Sequence, residues 1–169
     1  MQVGKFIGEV LWNMEVEYDA LKEEVVRFLD QHKVLFLATC ADGRVTARAM
    51  SCVYVGLALY FQTGRDSVKF AQIVQNPRVA LCAANIAIEG VAAIGEHPLH
   101  PASEQFATLY KEHHPGSFNA YSRLEGEVVI RVDPTRVAFW KYDGEGKPYR
   151  EFLYVGEGRA AREPVESCL

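Results

Sequence analysis

Long apolar runs are missing from this sequence. Its hydrophobic stretches are short and broken by polar residues, far below the roughly 20 residues that a membrane-spanning helix needs. Met1-Gln2-Val3-Gly4-Lys5 precedes no clean apolar block, and Glu9 interrupts the region. No signal peptide is expected, which makes the cytoplasm the expected location. An excess of positive charge is missing too. The chain has 18 Lys and Arg against 22 Asp and Glu, for a net charge of −4. A nucleic-acid binder presents a basic surface, and this composition does not supply one globally. The expectation is therefore no membrane partner and no nucleic acid.

Cysteines are few: Cys40, Cys52, Cys82 and Cys168, with no CxxC spacing. Three of them lie in apolar, strand-like runs, where buried free thiols are the simplest reading. There is no Ser/His/Asp motif and no Gly-rich phosphate loop of the Walker or Rossmann type. His97, His100, His113 and His114 cluster along the chain. They lack an acidic partner at helical spacing, so no metal site is assigned. A haem ligand among them is the less economical reading.

What is present is enough apolar material for one domain. Of 169 residues, 49% are hydrophobic, which argues for a packed core rather than disorder. Residues 17 to 31 read as a helix, with Leu21, Val25, Phe28 and Leu29 at helical spacing. Val34 to Thr39 is a β-rich run, and Asp42-Gly43 is a strong hairpin signal. Val45 to Val55 follows as a strand with a bend, then Gly56 turns into Leu57 to Thr63. Ser67 to Gln75 reads as a short helix ended by Asn76-Pro77. Arg78 to Ala83 and Ile86 to Glu96 are strands. Pro101 opens a helix carrying Phe106, Leu109 and Tyr110. Residues 114 to 123 read as loop or a single turn. Glu125 to Val132 and Arg136 to Tyr142 are strands joined by Asp133-Pro134. Tyr149 to Val155 is the last strand, and a loose polar tail follows Gly156. The single domain spans 1 to 169, with its core at about 20 to 155. Strands joined by tight turns imply an antiparallel sheet, and closure toward a barrel protects its edges. Regular strand–helix alternation, the mark of a doubly wound fold, is absent.

The segment that carries chemistry runs from Arg48 to Lys69. Lys69 lies in the first turn of the helix at Ser67, and Arg65 lies just before it. Backbone N–H groups already make that helix end positive. Added cations there are unfavourable unless an anion is bound, and a phosphate at a helix N-terminus resolves the conflict. Ser67 can donate its hydroxyl and Lys69 its charge. The plainer reading makes Ser67 or Asp66 an N-cap and leaves Lys69 and Arg65 solvated. Arg48, in a strand on the face of Thr46 and Met50, shifts the balance toward an anion. Glu125 and Glu127 alternate onto one strand face and read as solvent-exposed.

The ordered pattern is Arg48-x-Met50, a hairpin, Phe61-x-Thr63, then Ser67-x-Lys69 opening a helix that ends in Asn76-Pro77. It resembles the FMN-binding split barrels, a class of pyridoxamine 5′-phosphate oxidases, uncharacterised relatives and nitroimidazole-resistance-type proteins. The likeness covers roughly residues 20 to 142. It implies a mainly β, antiparallel split β-barrel with peripheral helices. It implies that Arg48, Ser67 and Lys69 hold the FMN phosphate. Ala49 and Met50 would border the ring system, and Phe61, Gln62 and Thr63 belong to the same cofactor-binding set. It also implies a homodimer with FMN at the interface, where the partner copy's Trp140 would flank the flavin. Core or dimer packing is the plainer account of Trp140. The implied activity is an FMN-dependent oxidoreductase acting on a small organic acceptor, with a reduced nicotinamide as electron donor. A non-catalytic flavin or haem binder and a deazaflavin-dependent reductase are the other readings. Val68-Lys69 stands where true pyridoxamine phosphate oxidases carry Arg-Lys, and the C-terminal segment does not match theirs. Vitamin B6 is therefore not the expected substrate.

Overall fold

The structure, a computed structural model, describes residues 16–165. The region read for a signal peptide, Met1 to Glu9, and Cys168 lie outside those residues. Helix α1 (Tyr18–Gln31) buries Leu21, Val25 and Leu29, one per turn on a single face, as the spacing predicts. Strands β1 (Val34–Ala41) and β2 (Arg44–Ser51) form the expected hairpin. Its two turn residues, Asp42 and Gly43, both have positive φ, 50° and 74°. A tight turn of that hand matches the twist of the flanking strands.

The predicted strand over Val45 to Val55 is broken rather than bent. Cys52 interrupts it, its N–H donating to the Lys33 carbonyl at 2.9 Å, and β3 (Val53–Val55) starts afresh. Strand β4 (Ala58–Gly64) leads into α2 (Val68–Gln75). Asn76 ends that helix and pins it, donating its amide to the Cys40 carbonyl at 3.0 Å. Strands β5 (Arg78–Ala83) and β6 (Ile86–Ile94) follow. A 3-10 turn at Pro101–Ser103 precedes α3 (Glu104–His113).

Three further expectations are corrected. Residues 114 to 123 contain a helix, α4 (Pro115–Tyr121), because Phe118 packs on the small core of Val53, Phe106, Tyr110 and Val129. Tertiary packing there overrides weak local propensity. The two strands flanking Pro134 are one strand, β7 (Glu127–Tyr142). The tail beyond Gly156 is not loose: after β8 (Pro148–Tyr154) it forms β9 (Arg159–Pro164).

All pairings are antiparallel, in the order β2-β1-β5-β6-β7-β4-β3, with β8 and β9 added beyond β7. The end strands β2 and β3 do not pair with each other, so the barrel is split, as expected. Strand β7 explains how proline sits inside a central strand. One edge pairs with β6 along Ile130–Phe139, on both sides of the proline. The other edge is shared, by β4 along Glu127–Val132 and by β8 along Arg136–Tyr142. Pro134 falls in the gap between them, where its missing N–H costs no ladder bond on that side. Opposite it, the register shifts at Glu89/Gly90. A Cβ on Gly90 would lie 2.7 Å from Val132 Cγ1 and 2.8 Å from the Asp133 carbonyl oxygen, so only glycine fits.

The inward residues of β1, β4, β5, β6 and β7 form the main core with α1. Leu35, Leu37, Phe61 and Ile130 are all 0% exposed. The outward face carries a row of apolar residues in register. Ala49 faces Phe36, Phe36 faces Cys82, Cys82 faces Ala87, and Ala87 faces Ala138. Phe36 is 55% exposed there. Cys82 is thus an exposed thiol, Cys40 is half-buried and Cys52 is buried. Burial pushes the Cys52 thiol up to about 12, which makes it inert at neutral pH.

Candidate functional site

Strand β2, the end of β4, the start of α2, and helices α3 and α4 enclose a cavity of about 360 Å³. Ala49, Met50, Gln62, Thr63 and Lys69 of the expected set line it. Ser51, Gly64, Tyr110, Ser117, Tyr121 and Glu127 complete it. Ser67 stands at its edge. Its hydroxyl oxygen accepts the Phe70 N–H at 3.2 Å, making it the N-cap of α2, and lies 3.0 Å from the Thr63 hydroxyl.

Arg48 of β2 does not line the cavity, but its charge is felt at Lys69. Its Nη1 donates to the Thr39 hydroxyl at 2.7 Å and to the Leu37 carbonyl at 3.3 Å, and its Nη2 donates to Thr46. Among the described residues, neither Arg48 nor Lys69 has a carboxylate within 4.0 Å. The two cations feel each other. Burial, and then the charge of Arg48, hold the Lys69 ammonium below its ordinary pKa, against the opposing pull of Glu127 and Asp66. Burial likewise lowers Arg48. Arg65 does not join them: its guanidinium lies over the Phe70 ring, 5.5 Å from the centroid.

Glu127 was read as solvent-exposed and is not. It is 8% exposed and pairs with Gly64 across β4 and β7. Burial pushes its carboxyl up; Lys69 pulls it down, Asp66 pushes it up, and His97 pulls it down. Helix α4 supplies the other wall. Gln62, 5% exposed, is fixed between the Ser122 hydroxyl, which donates at 2.7 Å, and the Ser117 carbonyl. Sequence reasoning missed Ser117, Tyr121 and Glu127 as site residues. The period-two pattern of β7 carries Glu127, but only the β4–β7 pairing turns it toward the cavity.

Two expected site residues stand elsewhere. The Phe61 side chain is in the core, as alternation along β4 requires. Trp140 lines a separate shallow cavity with Cys82, Ala87, Ala138 and Arg150. It is 13 residues from Glu127 on the same strand, roughly 40 Å at the rise of an extended chain.

Three of the four clustered histidines, His97, His100 and His114, serve local structure. Both ring nitrogens of His97 are engaged, by the Leu124 carbonyl and the Leu99 N–H. His100 caps the 3-10 turn, and His114 bonds the Cys52 carbonyl. Among the described residues, no group of three or more His, Cys, Asp or Glu is placed to hold a metal ion. No described helix is long and apolar enough to cross a membrane.

Comparison with known proteins gives the same fold. General stress protein 26 of Bacillus subtilis (strain 168) is 37% identical over 59 residues, 35% of this chain and 42% of its own length. The match thus spans well under half of that relative. A solved pyridoxamine 5′-phosphate oxidase-related, FMN binding protein from Nostoc punctiforme PCC 73102 superposes with a TM-score of 0.59 at 19% identity. That alignment covers 87% of this chain and 94% of the other. The haem storage protein HutZ of Vibrio cholerae superposes with a TM-score of 0.57 at 19% identity, over 66% and 88%. The family model described as pyridoxamine 5′-phosphate oxidase matches residues 21–141, well over half of the sequence. The chain belongs to the pyridoxamine 5′-phosphate oxidase family.

Proposed function

We propose that this protein binds FMN and works as a flavin-dependent oxidoreductase on a small organic acceptor. The observation that carries the reading is the pair Arg48 and Lys69. Neither cation has a carboxylate partner among the described residues, Lys69 lies in the first turn of a helix capped by Ser67, and the charge of Arg48 acts on Lys69. A phosphate dianion removes their mutual repulsion and uses the helix N-terminus as well. Ala49, Met50, Gln62 and Thr63 line the adjoining cavity and suit the ribityl chain and ring. When bound, the flavin supplies the electron transfer, and the protein supplies binding, orientation and local charge. Electrons come from a reduced nicotinamide.

The functional unit is a homodimer. The in-register row of Ala49, Phe36, Cys82, Ala87 and Ala138 supports this, since it starts at a cavity residue and runs toward the Trp140 cleft. An exposed apolar row of that length calls for cover. A second copy brings Trp140, with its cross-strand neighbour Arg150, to the flavin, which one subunit cannot do. Unpaired thiols at Cys40, Cys52 and Cys82 support a reducing, cytoplasmic setting.

The visible spectrum of the purified protein, with FMN added if it is colourless, tests the cofactor. Flavin bands are expected; a Soret band instead identifies the haem binder. A flavin spectrum shifted to that of a deazaflavin identifies the third reading. Bleaching by NADH or NADPH, followed by recovery on adding an acceptor, is expected of the enzyme. Bound flavin that no nicotinamide bleaches marks a carrier.

A further inference from the structure

Gln72 is a polar side chain at a position that calls for an apolar one. It lies on the inner face of α2 beside Ile73 and is only 6% exposed. Its amide oxygen is fully employed and its nitrogen is engaged. Nε2 donates to the Arg44 carbonyl at 2.8 Å, and Oε1 accepts from the Thr39 and Thr46 hydroxyls, each at 2.6 Å. Those hydroxyls are the ones to which Arg48 donates.

The direction of each bond from Arg48 is determined. A guanidinium only donates, so each threonine oxygen accepts from Arg48. Each hydroxyl proton must then point to an acceptor, and Gln72 Oε1, 2.6 Å from each hydroxyl against 3.4 Å between the two, serves both. The amide cannot be flipped, because its nitrogen is required by the Arg44 carbonyl. The network is neutral. It orients the guanidinium without cancelling its charge, and it leaves the remaining N–H donors of Arg48 free for an anion. It also ties the strand that carries Arg48 to the helix that carries Lys69.

From this arrangement we infer that Gln72 is a positioning residue of the anion site. Through the paired hydroxyls of Thr39 and Thr46, it holds Arg48 in register with Lys69 to receive the phosphate. The inference rests on the proposed phosphate role of Arg48. A carboxylate at position 72 would orient the hydroxyls equally well but would neutralise the guanidinium, so an amide is the fitting group.

The test is titration of the cofactor-free full chain with FMN and with riboflavin, followed by flavin fluorescence. Gln72→Met keeps the length and removes the acceptor. It is expected to weaken FMN about tenfold and riboflavin less than about twofold, the loss of one charge-assisted contact. Thr46→Val, at a half-buried position, is expected to shift the FMN-to-riboflavin ratio the same way, and it decides the matter if Gln72→Met does not fold. In an Arg48→Ala background, Gln72→Met is expected to add nothing, because it acts through Arg48. A merely structural glutamine would weaken both ligands alike and would add its effect to that of Arg48→Ala; either result overturns the inference. An Arg48→Ala protein with an unchanged FMN-to-riboflavin ratio removes the phosphate reading itself, and the inference with it. A changed ratio in Arg48→Ala with none in Gln72→Met removes the inference alone.

Discussion

Two clusters of charge in this molecule are built on opposite plans. In the C-terminal half, Glu151 is 3% exposed and every charge near it has a partner. Arg162 donates to it through Nε at 2.9 Å and Nη2 at 2.6 Å, and Lys141 at 2.5 Å; Lys141 also reaches Glu24 of α1. Burial alone would raise the Glu151 carboxyl, but bonds from Lys141 and Arg162 outweigh it and hold the group below its ordinary value. Burial alone would lower Lys141, and Glu151 and Glu24 outweigh it in turn. At the cavity, burial acts on Lys69 and Glu127 with no contact strong enough to reverse it, so both are shifted toward neutrality. The first cluster is complete in itself and fastens β7, β8, β9 and α1 together. The second leaves Lys69 and Arg48 without a carboxylate partner among the described residues, the feature on which the proposed anion site rests.

The largest effect expected from this contrast is in the first cluster. Glu151→Gln leaves Lys141 and Arg162 facing a neutral amide and should lower stability by about 3 kcal/mol in urea unfolding. A loss below about 1 kcal/mol would mean that solvent screens the cluster and that the contrast is only geometric. Lys69→Met should act in the reverse way. FMN affinity should fall by at least about tenfold, while the cofactor-free protein melts no lower, since a half-buried cation without a carboxylate partner has been removed. A marked fall in melting temperature would show that Lys69 serves the fold.

The pH limbs separate the clusters next. Glu151 has a depressed folded pKa, so its contribution is present above the ordinary Glu value and is lost as pH falls through the folded one. Lys141 is raised, so its contribution is present below the ordinary Lys value and is lost as pH rises through its folded pKa. Glu151→Gln should flatten the acid limb of the stability curve. FMN binding should instead weaken on the alkaline side, as pH rises through the lowered pKa of Lys69 and the ammonium is lost. The smallest effect is at Glu127. Its folded pKa is raised, so it destabilises the fold as pH rises from the ordinary Glu value through the folded one. Glu127→Gln should raise stability at neutral pH by less than about 1 kcal/mol in thermal or urea unfolding. A loss of stability would show that its pull on Lys69 outweighs its own burial.

Local signals were legible in the sequence where one segment decides its own structure. Helix α1 follows from its apolar spacing, the β1–β2 turn from Asp42-Gly43, and the end of α2 from Asn76-Pro77. Elements that borrow their stability were not legible. Helix α4 rests on Phe118 in a pocket made by β3, α3 and β7. Strand β9 rests on Ala160, buried at 6%, and on Arg162 bound to Glu151. The continuity of β7 depends on the edge that β4 and β8 divide. The site divides the same way. Ala49, Met50, Gln62, Thr63 and Lys69 come from segments whose order in the chain is informative, and they meet. Glu127, Ser117 and Tyr121 arrive by tertiary pairing, which one sequence does not reveal. Ser67 illustrates how two readings coexist: it is the helix cap that the plainer account required, and it still stands beside Lys69.

Strand β9 has a consequence for how the molecule avoids its own kind. It pairs only with β8 among the described residues, and it carries Arg159, Arg162, Glu163 and Pro164. Charges and a proline on an outermost strand deny it to a passing chain. The strand beneath, β8, ends in the apolar run Phe152-Leu153-Tyr154, and β9 covers its outer edge from Tyr149 to Tyr154. A chain cut before Arg159 would leave the outer edge of β8 unpaired and take Arg162 from Glu151, so it would be expected both to associate edge to edge and to melt lower.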